Sequence, residues 1–212
     1  MKHARVLAGV AAAAVAGMVA AAPAVAGPTT IKVDTSHGYV VDADWEAMTS
    51  PTTFAATYLS VSQDTHGSQL YVEHVEANLD AQGEFTGGSS THVDVSSGFA
   101  FSIDSLKLSQ ASAQGTALPA LRCDLGPTGE ESNCADTTVD VSAAWTAVGP
   151  IGRDVSNEHY ARPGFSVNVH HNGMDRTASA TGAFDGAALT ADQLQFASLL
   201  KGSSRTIMRF GE

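Results

Sequence analysis

Three residues of this chain have the types and spacing of a metal site: His159, His170 and Asp175. Two imidazole nitrogens and a carboxylate oxygen suit a borderline divalent ion such as zinc or copper. Their gathering depends on one local structure. Asn172-Gly173 stands between two alternating stretches and has the composition of a type I′ hairpin loop, which needs positive φ at both central residues. With those two residues as the loop, His170 faces Asp175 across the strands, and the upstream segment Asn157-Glu-His159 supplies the third ligand. His170 and His171 are neighbours on a strand and point to opposite faces, so they do not grip one ion together. Without a metal, the same His170–Asp175 pair is an exposed ion pair worth a fraction of a kcal/mol.

Carboxylates and aromatics offer a different chemistry. Asp42, Asp44 and Glu46 alternate with Ala43, Trp45 and Ala47, which puts the three acids on one strand face at spacings of about 7 Å. Glycoside cleavage needs two acids facing each other across a cleft, which one row does not supply. A glycan- or protein-binding surface needs exposed rings, for which Trp45, Tyr58, Tyr71 and Tyr160 are the candidates. The run Asn78-Leu-Asp80-Ala-Gln82-Gly83-Glu84 opens like a calcium loop but has Ser89 where the twelfth-position Glu belongs, so a plain hairpin turn is expected there. Nucleophile signatures are lacking: Gly164-Phe-Ser166-Val-Asn168 departs from G-x-S-x-G at its last position.

The elements that position these groups are strands. Short, alternating stretches rich in Val, Thr, Phe and Ser occur at 39–45, 53–61, 69–77, 91–103, 137–148, 164–171, 175–184 and 205–210, each bounded by Gly, Pro, Asn or Asp. Between them, only 191–200 offers helical competition. The pattern predicts an all-β fold, an antiparallel β-sandwich or barrel. Similar pieces, Phe54-Ala-Ala-Thr-Tyr58 with Ser142-Ala-Ala-Trp145 and Leu108-Ser-Gln-Ala-Ser112 with Leu194-Gln-Phe-Ala-Ser198, suggest two related β-halves, 37–120 and 137–212, joined by a loop at 121–136. Cys123 and Cys134, with ten residues between them, are expected to pair as a structural disulfide.

Compartment and charge narrow the partners. Lys2, His3 and Arg5 precede an apolar run that closes on Ala24-Val25-Ala26, the layout of a secretory signal peptide spanning 1–26 and leaving a secreted domain of 27–212 with no membrane anchor. Removing it takes two of the 11 basic residues and none of the 22 acidic ones, so the net charge moves from −11 to −13. A balance that acidic disfavours nucleic acid and anionic lipid as partners.

The Ala/Val/Gly-rich leader, few lysines, and the segments Trp145-Thr-Ala-Val-Gly-Pro-Ile151, His171-Asn-Gly173 and Arg176-Thr-Ala-Ser-Ala-Thr-Gly182 resemble uncharacterised secreted proteins of high-GC Gram-positive bacteria. The resemblance implies a bacterial origin and no activity, ligand or site. The sequence thus leads to the expectation of a secreted, disulfide-stapled, non-enzymatic binding protein for an extracellular glycan or protein, with no cofactor. The competing expectation is a secreted metal-binding protein or metal-dependent hydrolase using His159, His170 and Asp175.

Overall fold

The computed structural model describes residues 30–163 and 165–210. The expected signal peptide, residues 1–26, lies outside them. Eleven strands account for most of the described chain: β1 (Thr30–Ser50), β2 (Thr53–Gln63), β3 (Ser68–Leu79), β4 (Phe85–Val95), β5 (Phe99–Ile103), β6 (Gln110–Leu125), β7 (Glu131–Ala147), β8 (Gly152–Arg162), β9 (Phe165–Phe184), β10 (Ala187–Leu189) and β11 (Leu194–Phe210). All pair antiparallel in one sheet, as the alternating pattern predicts.

The ladders run β1–β2–β3–β4–β6–β7–β9–β11 and then back to β1, so the sheet closes on itself. Apart from the closing β11–β1 pair, consecutive members of this ring are also near neighbours in the chain, and the short strands β5 and β10 pair onto β6 and β9. Closure removes free edges from the ring, which would otherwise invite pairing with other chains.

One core fills the ring and draws on both halves of the chain, from Val41 and Leu59 to Val141 and Leu199. Alternation explains its membership. Odd residues of β1 (Val41, Ala43, Trp45) face inward with their cross-strand partners Val61, Leu59 and Thr57. Two indoles dominate this interior, and small residues make room for them: Trp145 lies between Ala111 and Ala180 on the flanking strands. Each indole donates to the opposite wall. Trp145 Nε1 donates to the Asp42 carbonyl at 2.9 Å, and Trp45 Nε1 to the Ala180 carbonyl at 3.4 Å.

Cys123 and Cys134 are disulfide-bonded, as expected. The segment between them is mostly strand: β6 and β7 continue to Leu125 and from Glu131 around a tight turn, and Gly129 takes a φ of 84° there. The turn at Asp80–Gly83 also forms, with the Asp80 carboxylate accepting the backbone N–H groups of Gln82 and Glu84.

The hairpin expected at Asn172-Gly173 does not form. Both residues lie inside β9, which runs unbroken through them, and neither has positive φ. Here each of the two residues is paired on both sides: Asn172 with Ser203 and Val155, Gly173 with Gly202 and Asp154. An isolated two-stranded ribbon would bond one side only, so the ladders available from β8 and β11 override the local turn preference. The stretch 191–200, where a helix competed, is a turn followed by β11.

Because β2 pairs with β1 only from Tyr39 onward, the first part of β1 extends beyond the ring. It continues as a four-stranded sheet in the order β1–β11–β9–β8. Every described residue from Ile31 to His37 is exposed, as is nearly all of β8.

Candidate functional site

The expected metal trio is taken apart by the continuity of β9. His170 and Asp175 are five residues apart on one strand and therefore face opposite sides of the sheet, about 17 Å apart along it. His159 and His170 do share a face. His159 stands opposite Asn168 and His170 opposite Asn157, so the two rings occupy diagonal corners of a four-residue square on β8 and β9. His159 Nδ1 lies 2.6 Å from Asn168 Oδ1 and His170 Nδ1 lies 2.5 Å from Asn157 Oδ1. An amide oxygen only accepts, so in each ring Nδ1 carries the proton and Nε2 is the remaining polar atom. Two histidines fall one short of the three protein ligands that hold a catalytic zinc. Cys123, Glu131 and Cys134 also cluster, but both sulfurs are spent in the disulfide.

The candidate binding residues are divided by the structure. Trp45 is 1% exposed and belongs to the core, so it is withdrawn as a surface platform. Tyr160 is exposed at the far end of β8, away from the others. Tyr58 and Tyr71 come together. They sit diagonally on β2 and β3 on the outer face of the ring, with ring centroids 6.2 Å apart and planes tilted by 57°.

Register then places the acids around them. One rung across the outer face reads Asp44, Tyr58, Glu73, His92, and the next reads Asp42, Ser60, Tyr71, Asp94. Glu46 follows on the adjacent rung of β1. No Lys or Arg stands on this face within the ring among the described residues 39–50 of β1 and those of β2 to β4; Lys32, on the same side of β1, lies ten residues before Asp42 in the extension. The Tyr58 hydroxyl donates to Asp42 Oδ1 at 3.1 Å, and the Tyr71 hydroxyl to Glu73 Oε2 at 3.1 Å. Burial, with the Asp42 charge beside it, pushes the Tyr58 phenol up to about 12. Burial and the Glu73 hydrogen bond raise Tyr71 as well. Both phenols are therefore neutral donors at physiological pH, and the negative charge of the face resides on the carboxylates. At its margin Ser198, on the same rung as Asp42, is buried with a hydroxyl that has no hydrogen-bond partner among the described residues.

A third place was not expected from the sequence. At the end of the ring away from the extended sheet, His74, Glu76, Thr91, Arg122, Phe184 and Asp185 line a cavity of about 110 Å³. The His74 ring stacks on Phe184 with centroids 4.4 Å apart, and its Nδ1 lies 2.8 Å from Thr57 Oγ1. Burial lowers the His74 pKa from its ordinary value, with Glu76 acting in the opposite sense. Arg122 Nη2 lies 3.9 Å from Glu76 Oε2. That volume holds a few waters and is well below the size of a cavity that encloses an organic ligand. A larger depression of about 560 Å³ over β6, β7 and β9 is lined by Ala, Ser, Thr, Gly, Gln and Leu, without a titratable group.

Comparison of the chain with protein-family models, with curated proteins and with solved structures returned no match.

Proposed function

We propose that this chain is an exported, non-enzymatic binding protein that holds an amine-bearing glycan on the acidic tyrosine face of β1 to β4. One observation carries the proposal: Tyr58 and Tyr71 stand among Asp42, Asp44, Glu73 and Asp94 on two adjacent rungs that hold no Lys or Arg, with His92 at the end of one rung drawn to Glu131 at 2.6 Å. A protonated amine gains charge-assisted hydrogen bonds to such carboxylates and a cation–π contact with a phenol ring. Sugar hydroxyls gain acceptors from the same carboxylates. Tyr58 is 38% exposed, which leaves ring surface for a ligand.

Export is supported by the signal-like residues 1–26 and is compatible with the Cys123–Cys134 disulfide, which persists in oxidising compartments. Among the described residues there is no helix long and apolar enough to cross a membrane. The metal-dependent alternative loses support because Asp175 stands on the opposite face from His170.

The test is equilibrium binding of a fluorescent glucosamine hexamer and its N-acetylated counterpart at mildly acidic pH. Saturable binding of the amine form, at least tenfold tighter than the acetylated form, is expected. Equal binding of both, or of neither, contradicts the proposal.

A further inference from the structure

We propose that the extended end of the sheet carries a second binding face, for an anionic polysaccharide, distinct in position and charge from the acidic face. Pairing puts Thr35, Arg205, His170 and Asn157 on one rung, His37, Ser203, Asn172 and Val155 on the next, and Arg209 with Ile31 two rungs beyond Arg205 towards the strand ends. This is the side of the strands that lines the core farther down, where Val41 and Leu199 pair. Arg205 and Arg209 stand on it with His37, His159 and His170, and Arg153 follows at its margin, on the rung of Tyr39 and Lys201. No carboxylate does: Asp34, Asp154, Glu158 and Asp175, the acids of these four segments, all occupy the alternate positions and face the other side. Lys201 belongs to the transition into the ring, where its ammonium donates to the Ser105 carbonyl at 2.9 Å and lies over the Tyr39 ring.

The net charge of −11 therefore does not describe this face. Asp42, of the acidic tyrosine face, is five residues past His37, about 17 Å along the strand and beyond a Debye length of about 8 Å at physiological ionic strength, whereas Asp34, Asp154 and Glu158 stand on the reverse side of the extended sheet. Four rungs and four strands give a surface of roughly 20 by 15 Å.

The kind of anion follows from what else is present. The amides of Asn157 and Asn168 and the hydroxyls of Thr35 and Ser203 are hydrogen-bonding partners for sugar hydroxyls. Exposed aromatic rings, on which nucleic-acid bases would stack, do not occur on these rungs.

The experiment measures binding of the whole chain to fluorescent dextran sulfate, neutral dextran of equal length and oligothymidylate, by anisotropy at several salt concentrations. The expected result is saturable binding of dextran sulfate alone, weakening about 30-fold between 50 and 200 mM salt if some three cations each release a counterion. Arg205→Gln with Arg209→Gln should weaken it at least tenfold, with an unchanged circular dichroism spectrum and unchanged affinity for the glucosamine hexamer. Parent-like binding by the double variant overturns the proposal, as does equal affinity for oligothymidylate. Concentration-dependent self-association that the double variant abolishes would assign the face to a second copy instead and also overturn it. Because the glucosamine hexamer reads the acidic face, failure there leaves this result standing, and the converse holds.

Discussion

Replacing Trp145 by Phe probes whether the ring is held together across its interior. Trp145 is 1% exposed, lies on β7 and donates to the Asp42 carbonyl on β1, so its indole ties two walls that are not hydrogen-bonded neighbours. Three losses add. Removing the larger ring system forfeits about 1 kcal/mol of transfer free energy. The space left, roughly 40 Å³, costs about 1 kcal/mol at some 24 cal/mol per Å³. Loss of the N–H···O bond costs about 1 kcal/mol more. The sum, about 3 kcal/mol, corresponds to a fall in melting temperature of about 6 to 12 °C for a chain of this size. Differential scanning calorimetry reads the shift directly, with Tyr160→Phe, at an exposed site, as the control that should not move. A fall smaller than about 2 °C would refute the cross-ring role assigned to Trp145.

Three further outcomes follow from the same structure. Replacing Cys123 and Cys134 by Ser releases a loop with a sequence separation of 11, worth about 3 kcal/mol in the chain-entropy model, so chemical denaturation should show that loss while the far-ultraviolet dichroism stays strand-like. Burial holds the His74 pKa below its ordinary 6.5, so below that value the unfolded chain binds the proton that the folded chain refuses. Stability should therefore decline as pH falls from 7 towards 5, and a melting series of His74→Gln should show a shallower decline. At Gly182 an added Cβ would run into the Ser142 carbonyl, whereas at Gly202 it meets nothing within 4 Å. Gly182→Ala should thus destabilise by about 1 to 3 kcal/mol and Gly202→Ala by less than about 0.5 kcal/mol, as urea titration would measure.

Much of the ring was legible in the sequence because alternation is a strong signal where one face is buried. The stretches 39–45, 53–61 and 69–77 fall within β1, β2 and β3, and Asp42, Asp44 and Glu46 do share the outer face. Cys123–Cys134 and the Asp80–Gly83 turn followed from spacing and turn chemistry alone. β6 escaped notice because its first half, residues 110–117, alternates Ala, Ser, Gln, Gly and Thr without large apolar residues, and β8 because both its faces are exposed. The failed hairpin has the same origin as the failed metal trio. Asn172-Gly173 has the residues of a turn, but the preceding strand β8 and the later strand β11 pair with both of its sides, and turn chemistry does not encode those partners.

The sites were less legible than the strands. Tyr58 and Tyr71 were visible as candidates, yet their union with Asp42 and Asp94 depends on the registers of β1 to β4. The segregation of charge depends on register even more. Arg205 and Arg209 are indistinguishable in composition from any other cation, and net charge is a sum that cancels them against carboxylates on another face. The cavity at His74 likewise gathers β3, β4, β6 and the end of β9.

The central claim, that an amine-bearing ligand is held at the acidic tyrosine face, is tested most directly by titrating isotopically labelled protein with a glucosamine tetramer and mapping backbone amide shifts. The account predicts saturable shifts confined to the neighbourhoods of Asp42, Tyr58, Tyr71 and Asp94. Shifts centred instead on Arg205 and His170, or none at all, would contradict it.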